Sequence, residues 1–319
     1  MLGILLMVAC QDSGKEKLTI NFVGDLMSTY WLHLPNPTNS LPKLNYMLKD
    51  VKAELTNADL TVGNLESPVS GSFPSGRFPR FNAPVHYLDA LTNVGFDILS
   101  YANNHTCDMG FVGVEDTMFN ILDRGMRCVG VGFERSERIL YVSNTYNLAF
   151  IAWTYGMNGH TNGIEMVNCT DRYFKYRKRI IDDIRSVPSN FTTVLMLHWG
   201  QEYHTNYDPW QRELAKEFVS NGVDLIVGTH PHVLQPVETI TNGGNVGIVA
   251  YSLGNFIGTK RKLGATKGKI LRIAITEDGV SVEREIPTYI SREGVPGDRY
   301  YAIRTNENVT KCVASGKRE

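Results

Sequence analysis

Short apolar runs alternate with longer stretches of helical periodicity along most of the chain. Leu18–Val23, Leu60–Val62, Asp97–Tyr101, Arg127–Val131, Leu148–Trp153, Thr193–Leu197, Asp224–Val227 and Val246–Tyr251 have strand length and strand composition. Between them, apolar residues recur at three- and four-residue spacing over Leu41–Leu55, Pro84–Val94, Val114–Arg124, Tyr173–Ile184 and Trp210–Ser220, which predicts helices. Lys269–Ile275 and Val280–Ile286, on either side of Asp278-Gly279, read as a β-hairpin. No linker splits the chain before about Tyr289, so the pattern predicts one layered α/β or α+β domain over residues 18–290. Residues 291–319 are polar, end on Gly316-Lys317-Arg318-Glu319, and read as a C-terminal extension.

The first residues follow a different logic. Leu2 to Ala9 is apolar, Cys10 closes the run, and polar Gln11 to Lys17 follows at once. Such a run is too short for a bilayer, which takes roughly 20 residues, but it matches the core of a secretory signal. Ala9 before Cys10 resembles a bacterial lipoprotein signal, with Cys10 as the lipidated first residue, although no lysine or arginine precedes the run. Residues 1–17 are therefore expected to be a signal segment and tether. The protein would then sit at the extracytoplasmic face of the cell envelope, anchored through Cys10. The competing reading is a merely apolar start to a cytoplasmic protein.

Composition narrows the function classes. A chain of 319 residues with 42% hydrophobic residues can bury a core without staples. Its 32 Lys+Arg against 33 Asp+Glu leave no basic excess of the kind that drives sequence-independent binding to nucleic acid. The five cysteines, Cys10, Cys107, Cys128, Cys169 and Cys312, form no CxxC pair, which removes zinc-ribbon and thioredoxin-type sites.

The informative polar residues fall where strands end. Leu18–Val23 runs into Gly24-Asp25, Leu60–Val62 into Gly63-Asn64-Leu65-Glu66, and Asp97–Tyr101 into Asn103-Asn104-His105-Thr106-Cys107-Asp108. Thr193–Leu197 runs into His198 and on to Glu202, Asp224–Val227 into His230-Pro231-His232, and Val246–Tyr251 into Asn255. Ligands gather outside the carboxyl ends of strands in layered α/β proteins, so these termini can converge on one pocket. Imidazole, carboxylate and amide oxygen together suit one or two divalent ions such as manganese, zinc or iron. A shared carboxylate could bridge two of them.

Each residue alone has a duller explanation. A single aspartate after a strand is most often a cap or turn residue, and His33, His86 and His160 are ordinary surface or core histidines. Cys107 lacks a partner base and reads as structural, while Trp199, Tyr203 and His204 read as packing or surface residues. The joint occurrence carries the argument: four of the 8 histidines fall at strand ends among acids and glycines.

These motifs resemble a known family. Gly24-Asp25-Leu26-Met27, Asn64-Leu65-Glu66-Ser67-Pro68, Ala102 to Asp108, Thr154 to Gly159, His198 to Tyr203, Gly228 to His232 and Tyr251 to Phe256 look like the ordered motifs of the CapA family. These are bacterial capsule, or poly-γ-glutamate, synthesis proteins related to calcineurin-like metallophosphoesterases. The resemblance implies an α+β, metallophosphatase-like four-layer sandwich: two facing mixed β-sheets flanked by helices, with metals at the strand ends. It implies Asp25, Glu66, Asn104, His198, His230 and His232 as metal ligands, with Glu66 as the bridge. His105 and Asp108 would be catalytic, His105 as the acid that donates to a leaving oxygen or orients the substrate. Asn64, Glu202 and Asn255 would support the ligands from behind. Met27 stands where the superfamily's first Asp-x-His motif has histidine.

Three functions compete on this reading. One is a metal-dependent hydrolase or transferase acting on an extracytoplasmic anionic polymer such as poly-γ-glutamate. Another is a non-catalytic, membrane-tethered accessory protein of a polymer synthase complex. The third is a phosphoesterase acting on small phosphate esters.

Overall fold

In a computed structural model the protein is described over residues 17–28, 40–76, 78–143, 146–171, 175, 177–258, 264–295 and 298–305. Residues 1–16, with Cys10, and Cys312 lie outside these. The first half winds strands and helices alternately: β1 (Leu18–Leu26), α1 (Ser40–Leu48), α2 (Lys52–Thr56), β2 (Leu60–Leu65), α3 (His86–Asn93), β3 (Ile98–Ser100), α4 (Gly110–Leu122) and β4 (Arg127–Val129). β5 (Ile139–Ser143) and β6 (Asn147–Thr154) follow, then α5 (Arg177–Ser186), β7 (Thr192–His198), α6 (Pro209–Ser220) and β8 (Leu225–Thr229). The chain ends in strands: β9 (Val237–Asn242), β10 (Asn245–Ala250), β11 (Asn255–Ile257), β12 (Lys267–Thr276), β13 (Gly279–Val295) and β14 (Asp298–Thr305).

Two mixed sheets result. The 8-stranded sheet has the order β14-β13-β12-β1-β2-β3-β4, with β11 also paired to β1; the 6-stranded sheet has the order β5-β6-β7-β8-β10-β9. β1 to β4 run parallel to one another, as do β6, β7, β8 and β10. Every parallel strand therefore points its carboxyl end the same way within its sheet.

Alternation along the strands separates the layers. Leu148, Phe150 and Ala152 of β6 join one core with Ile20, Phe22 and Val62 of the other sheet. Ile151 and Trp153, on the opposite face of β6, pack with Ile180 and Ile184 of α5 and Leu214 and Phe218 of α6. Leu44, Leu88, Leu91, Val114 and Ile121 of α1, α3 and α4 belong to the first of these cores. Asn21, which alternates with Ile20 and Phe22 along β1, donates to Glu54 O and Leu55 O of α2, so that helices cover the other face of the larger sheet. The order is helices, sheet, sheet, helices, as the resemblance implied. Both faces of the central strands are buried, which explains their near-continuous apolar runs.

Local chemistry fixes the element ends. Asp208 and Gln211 form a capping box with Pro209 in the first turn of α6; the Asp208 backbone N–H donates to Gln211 Oε1 at 2.8 Å. The hairpin predicted around Asp278-Gly279 is present, with Thr276 opposite Gly279, whose φ is 111°. The helix predicted over Leu41–Leu55 is broken into α1 and α2 by a turn at Lys49–Val51. The apolar period survives the break, because Leu44, Leu48, Val51 and Leu55 still reach one core. Residue 290, where the apolar pattern ended the domain, falls inside β13, and Ile290 pairs with Ile303 of β14. Ala302 and Ile303 are buried, so this part of the C-terminal stretch completes the larger sheet. Among the described residues no helix is long and apolar enough to cross a membrane.

Two glycines let backbones meet where the strands end. A Cβ at Gly24 would stand 1.8 Å from Gly254 O, and one at Gly228 would stand 1.9 Å from Tyr251 O. The Asp25 backbone N–H donates to Gly254 O at 3.0 Å, so the contact at Gly24 also sets Asp25 in place. Gly24→Ala is expected to destabilise the fold by about 3 kcal/mol or more. A denaturant midpoint equal to that of the wild type would contradict this.

Candidate metal centre

Six strand ends meet in one buried pocket. Asp25 closes β1 and is fully buried. Asn64 Nδ2 donates to Asp25 Oδ1 at 2.8 Å, and Asn103 Nδ2 donates to Asn64 Oδ1 at 3.2 Å and to Leu65 O at 2.8 Å. Glu66 follows β2 and is also fully buried. The turn after β3 is held by Thr106, whose hydroxyl donates to Tyr101 O at 2.6 Å and whose Oγ1 accepts from the Asn103 backbone at 3.0 Å. That turn aims Asn104 and His105 in different directions.

The smaller sheet supplies the imidazoles. His198 ends β7, with Nδ1 3.0 Å from Thr229 Oγ1 and Nε2 3.0 Å from Asn104 Oδ1. His230 and His232 follow β8 in left-handed backbone, with φ of 98° and 58°. Such conformations are costly away from glycine and concentrate at functional sites. His232 Nδ1 lies 3.1 Å from Asp25 Oδ2 and 3.0 Å from Asn255 Oδ1, while Asn255 Nδ2 donates to Ala265 O at 2.9 Å and so fixes the amide. The His230 backbone N–H points to Asp25 Oδ2 at 3.4 Å. Tyr155 lies against the His230 ring, with centroids 4.7 Å apart.

Two sets of ligand atoms share one carboxylate. Glu66, His198 and His230 form one group, and Asp25, Glu66 and His232 the other; within each the ligand atoms lie within 4.8 Å of one another. Glu66 Oε1 stands 3.9 Å from His198 Nε2 and 3.7 Å from His232 Nε2, between the imidazoles. Asn104 Oδ1, beside His198 Nε2, adds an amide oxygen to the first group. Ionised carboxylates in so dry a pocket are stabilised by a cation, and the donor set suits a divalent one. Met27 is buried and belongs to neither group.

Burial above all, and then the neighbouring His230, His232 and His105, hold the His198 imidazole well below its ordinary value of 6.5. Its lone pair is therefore available to a metal at neutral pH. The sign of the linkage follows: the unfolded chain takes up a proton near pH 6.5 that the folded chain resists. The stabilisation is fully present above that pH and is lost as pH falls below it. Unfolding midpoints of the metal-free protein should fall steadily on acidification below about pH 6.5. A midpoint flat down to about pH 5 would contradict the assignment.

His105 sits beside this group with its own partners. Its Nδ1 lies 2.7 Å from Asp108 Oδ2, which also accepts from the Phe81 backbone N–H at 2.8 Å. The carboxylate acceptor places the ring hydrogen on Nδ1. His105 Nε2 then accepts from Asn158 Nδ2 at 3.1 Å, while Asn158 Oδ1 accepts from Asn104 Nδ2 at 3.3 Å. Asp108 thus reaches the pocket through His105 and positions it. Burial pushes the Cys107 thiol up to about 12, which leaves it a poor nucleophile.

Asp25, Glu66, Asn104, His198, His230 and His232 are therefore brought together, with His105 and Asp108 adjoining and Asn64 and Asn255 hydrogen-bonded behind them. Glu202 stands exposed on the loop after His198. Residues the sequence did not single out are Asn103, Asn158, Tyr155, Thr229 and Arg80. Asn103 and Asn158 lie inside quoted motifs, but an amide that orients another amide has no spacing signature.

A layered two-sheet protein with a buried carboxylate–imidazole cluster at its strand ends is thus defined. The chain belongs to the bacterial capsule synthesis protein PGA_cap family, whose pattern it matches over residues 19–260. It is 28% identical to the capsule biosynthesis protein CapA of Bacillus anthracis, over 94% of this chain and 75% of that one. It is 27% identical to the PGA biosynthesis protein CapA of Bacillus subtilis strain 168, over 76% of this chain and 63% of that one. Among solved structures, the purple acid phosphatase PPD1 of yellow lupin seeds overlaps with a TM-score of 0.41 at 11% identity, over 95% of this chain and 57% of that one.

Proposed function

We propose that the protein is a metal-dependent hydrolase or transferase that cuts or transfers the chain of an anionic capsule polymer, poly-γ-glutamate, outside the membrane. The observation that carries this reading is the carboxylate of Glu66, shared by two ligand groups, with the His105–Asp108 pair alongside. Divalent ions held by Asp25, Glu66, Asn104, His198, His230 and His232 would supply Lewis-acid polarisation and offset charge developing in the reaction. The residues do the rest. Asp108 holds His105 Nδ1–H, so that the ring presents its Nε2 lone pair to the substrate; there Nε2 takes the proton of the attacking water or hydroxyl and then gives it to the leaving group. Asn158, now on Nε2, yields that position to the substrate. Family membership and the relatives' roles in capsule synthesis support the choice of polymer.

Turnover decides between this reading and its rivals. The full chain, loaded in turn with manganese, zinc and iron, should release products from γ-glutamyl oligomers. Activity confined to phosphate esters would assign it to phosphoesterases. Bound metal with no turnover on either substrate would assign it to accessory proteins of a synthase complex.

The reading places the protein at the extracytoplasmic face of the cell envelope, held through Cys10. Cys10→Ala should move it out of the membrane fraction, because acyl chains supply the anchoring and each buried methylene contributes about 0.8 kcal/mol. Both forms in the cytosol would overturn the placement.

A further inference from the structure

The segment between Ser70 and Asn82 is a structured arm beside His105. Asn82 is fully buried, and its Nδ2 donates to Ser70 O at 3.0 Å, Phe73 O at 3.0 Å and Pro74 O at 3.2 Å. Its Oδ1 accepts from the Ser70 backbone at 2.9 Å. Ser70 Oγ donates to Asp116 Oδ2 at 2.5 Å, which ties the arm to α4. The arm is therefore built to hold what it carries in a fixed place.

It carries Phe78, 74% exposed, and Arg80, also exposed. Arg80 Nε and Nη2 both donate to Asp108 O, at 2.8 and 2.5 Å. The next residue, Phe81, donates its backbone N–H to Asp108 Oδ2 at 2.8 Å and packs edge-on against the His105 ring, with centroids 4.5 Å apart. Arg80, Phe81, Asp108 and His105 form one connected unit. No carboxylate of the described residues lies within ion-pair distance of Arg80. A neutral donor would satisfy one carbonyl oxygen equally well. Here a permanently charged fork does so and keeps N–H groups over for a ligand.

We propose that Arg80 is an oxyanion-recognition residue next to the reacting centre, binding a carboxylate of the polymer unit that neighbours the bond at His105. The inference rests on the polymer reading above. The chain's net charge of −1 offers no general attraction for a polyanion, so recognition has to come from local cations placed at the site. A guanidinium oriented by a backbone carbonyl meets a carboxylate with little loss of side-chain freedom.

Binding of a fluorescent poly-γ-glutamate oligomer to the manganese-loaded full chain tests this. Arg80→Ala and Arg80→Gln should each weaken binding about five- to tenfold and flatten its dependence on salt, with Arg80→Lys in between. An oligomer whose carboxylates are amidated should bind the wild type and the variants alike. If the wild type prefers the anionic oligomer and Arg80→Ala binds it equally well, the subsite is wrong and the polymer reading stands. If the wild type does not distinguish the two oligomers, the polymer reading falls and the subsite with it. If Arg80→Gln loses metal or melts earlier than the wild type, Arg80 serves to hold the Asp108 turn, and the recognition role is overturned.

Discussion

Glu66→Gln should abolish tight metal binding, lowering affinity by at least about 100-fold, with turnover falling in step. The size of the effect comes from sharing. Glu66 belongs to both ligand groups, whereas His230 and His232 belong to one each, so losing a histidine leaves one group whole. The same substitution should have the opposite effect on the metal-free protein. Asp25 and Glu66 bring carboxylate oxygens together in a fully buried pocket, and like charges there disfavour the folded chain. Glu66→Gln should therefore melt higher than the wild type without metal and gain little when manganese is added. Wild-type metal affinity in Glu66→Gln would remove Glu66 from the site.

His105→Ala should keep wild-type metal content and lose turnover by about 10²- to 10⁴-fold, the range of a general acid. The separation is geometric: His105 Nδ1 is taken by Asp108 and Nε2 by Asn158, so the ring belongs to neither ligand group. Asp108→Asn should show a loss of the same kind, since the carboxylate that holds the hydrogen on His105 Nδ1 is replaced by an amide that can donate to that nitrogen. Metal content and turnover measured on the same preparation check both. Normal turnover in His105→Ala would end its assignment as the acid.

The layers were legible because burial on both faces writes apolar runs of strand length into β1, β6, β7, β8 and β10. The site was legible for a related reason. Each candidate ligand falls within a few residues of the end of such a run, so the end of the run marks its neighbourhood, and His198, His230 and His232 stood out together. Elements without that signature were missed. β5 and β9 are edge strands with mixed burial, and β11 is three residues long. β14 follows a polar stretch, and its buried Ala302 and Ile303 are too few to mark a strand. Asn103, Asn158 and Arg80 act through contacts between distant loops, which no local spacing records. Glu202 shows the converse: an acid within a motif, next to a ligand strand, that stands in solvent.

Glu66 is shared by two groups of candidate ligand atoms at the meeting of the two sheets. Anomalous diffraction from crystals grown with manganese tests whether each group holds an ion. Two peaks are expected on either side of the Glu66 carboxylate, about 3.5–4 Å apart as in other two-metal centres. One peak should lie toward His198 and His230 and the other toward Asp25 and His232. No peak at Glu66, with manganese bound elsewhere on the protein, would remove Glu66 as a shared metal ligand.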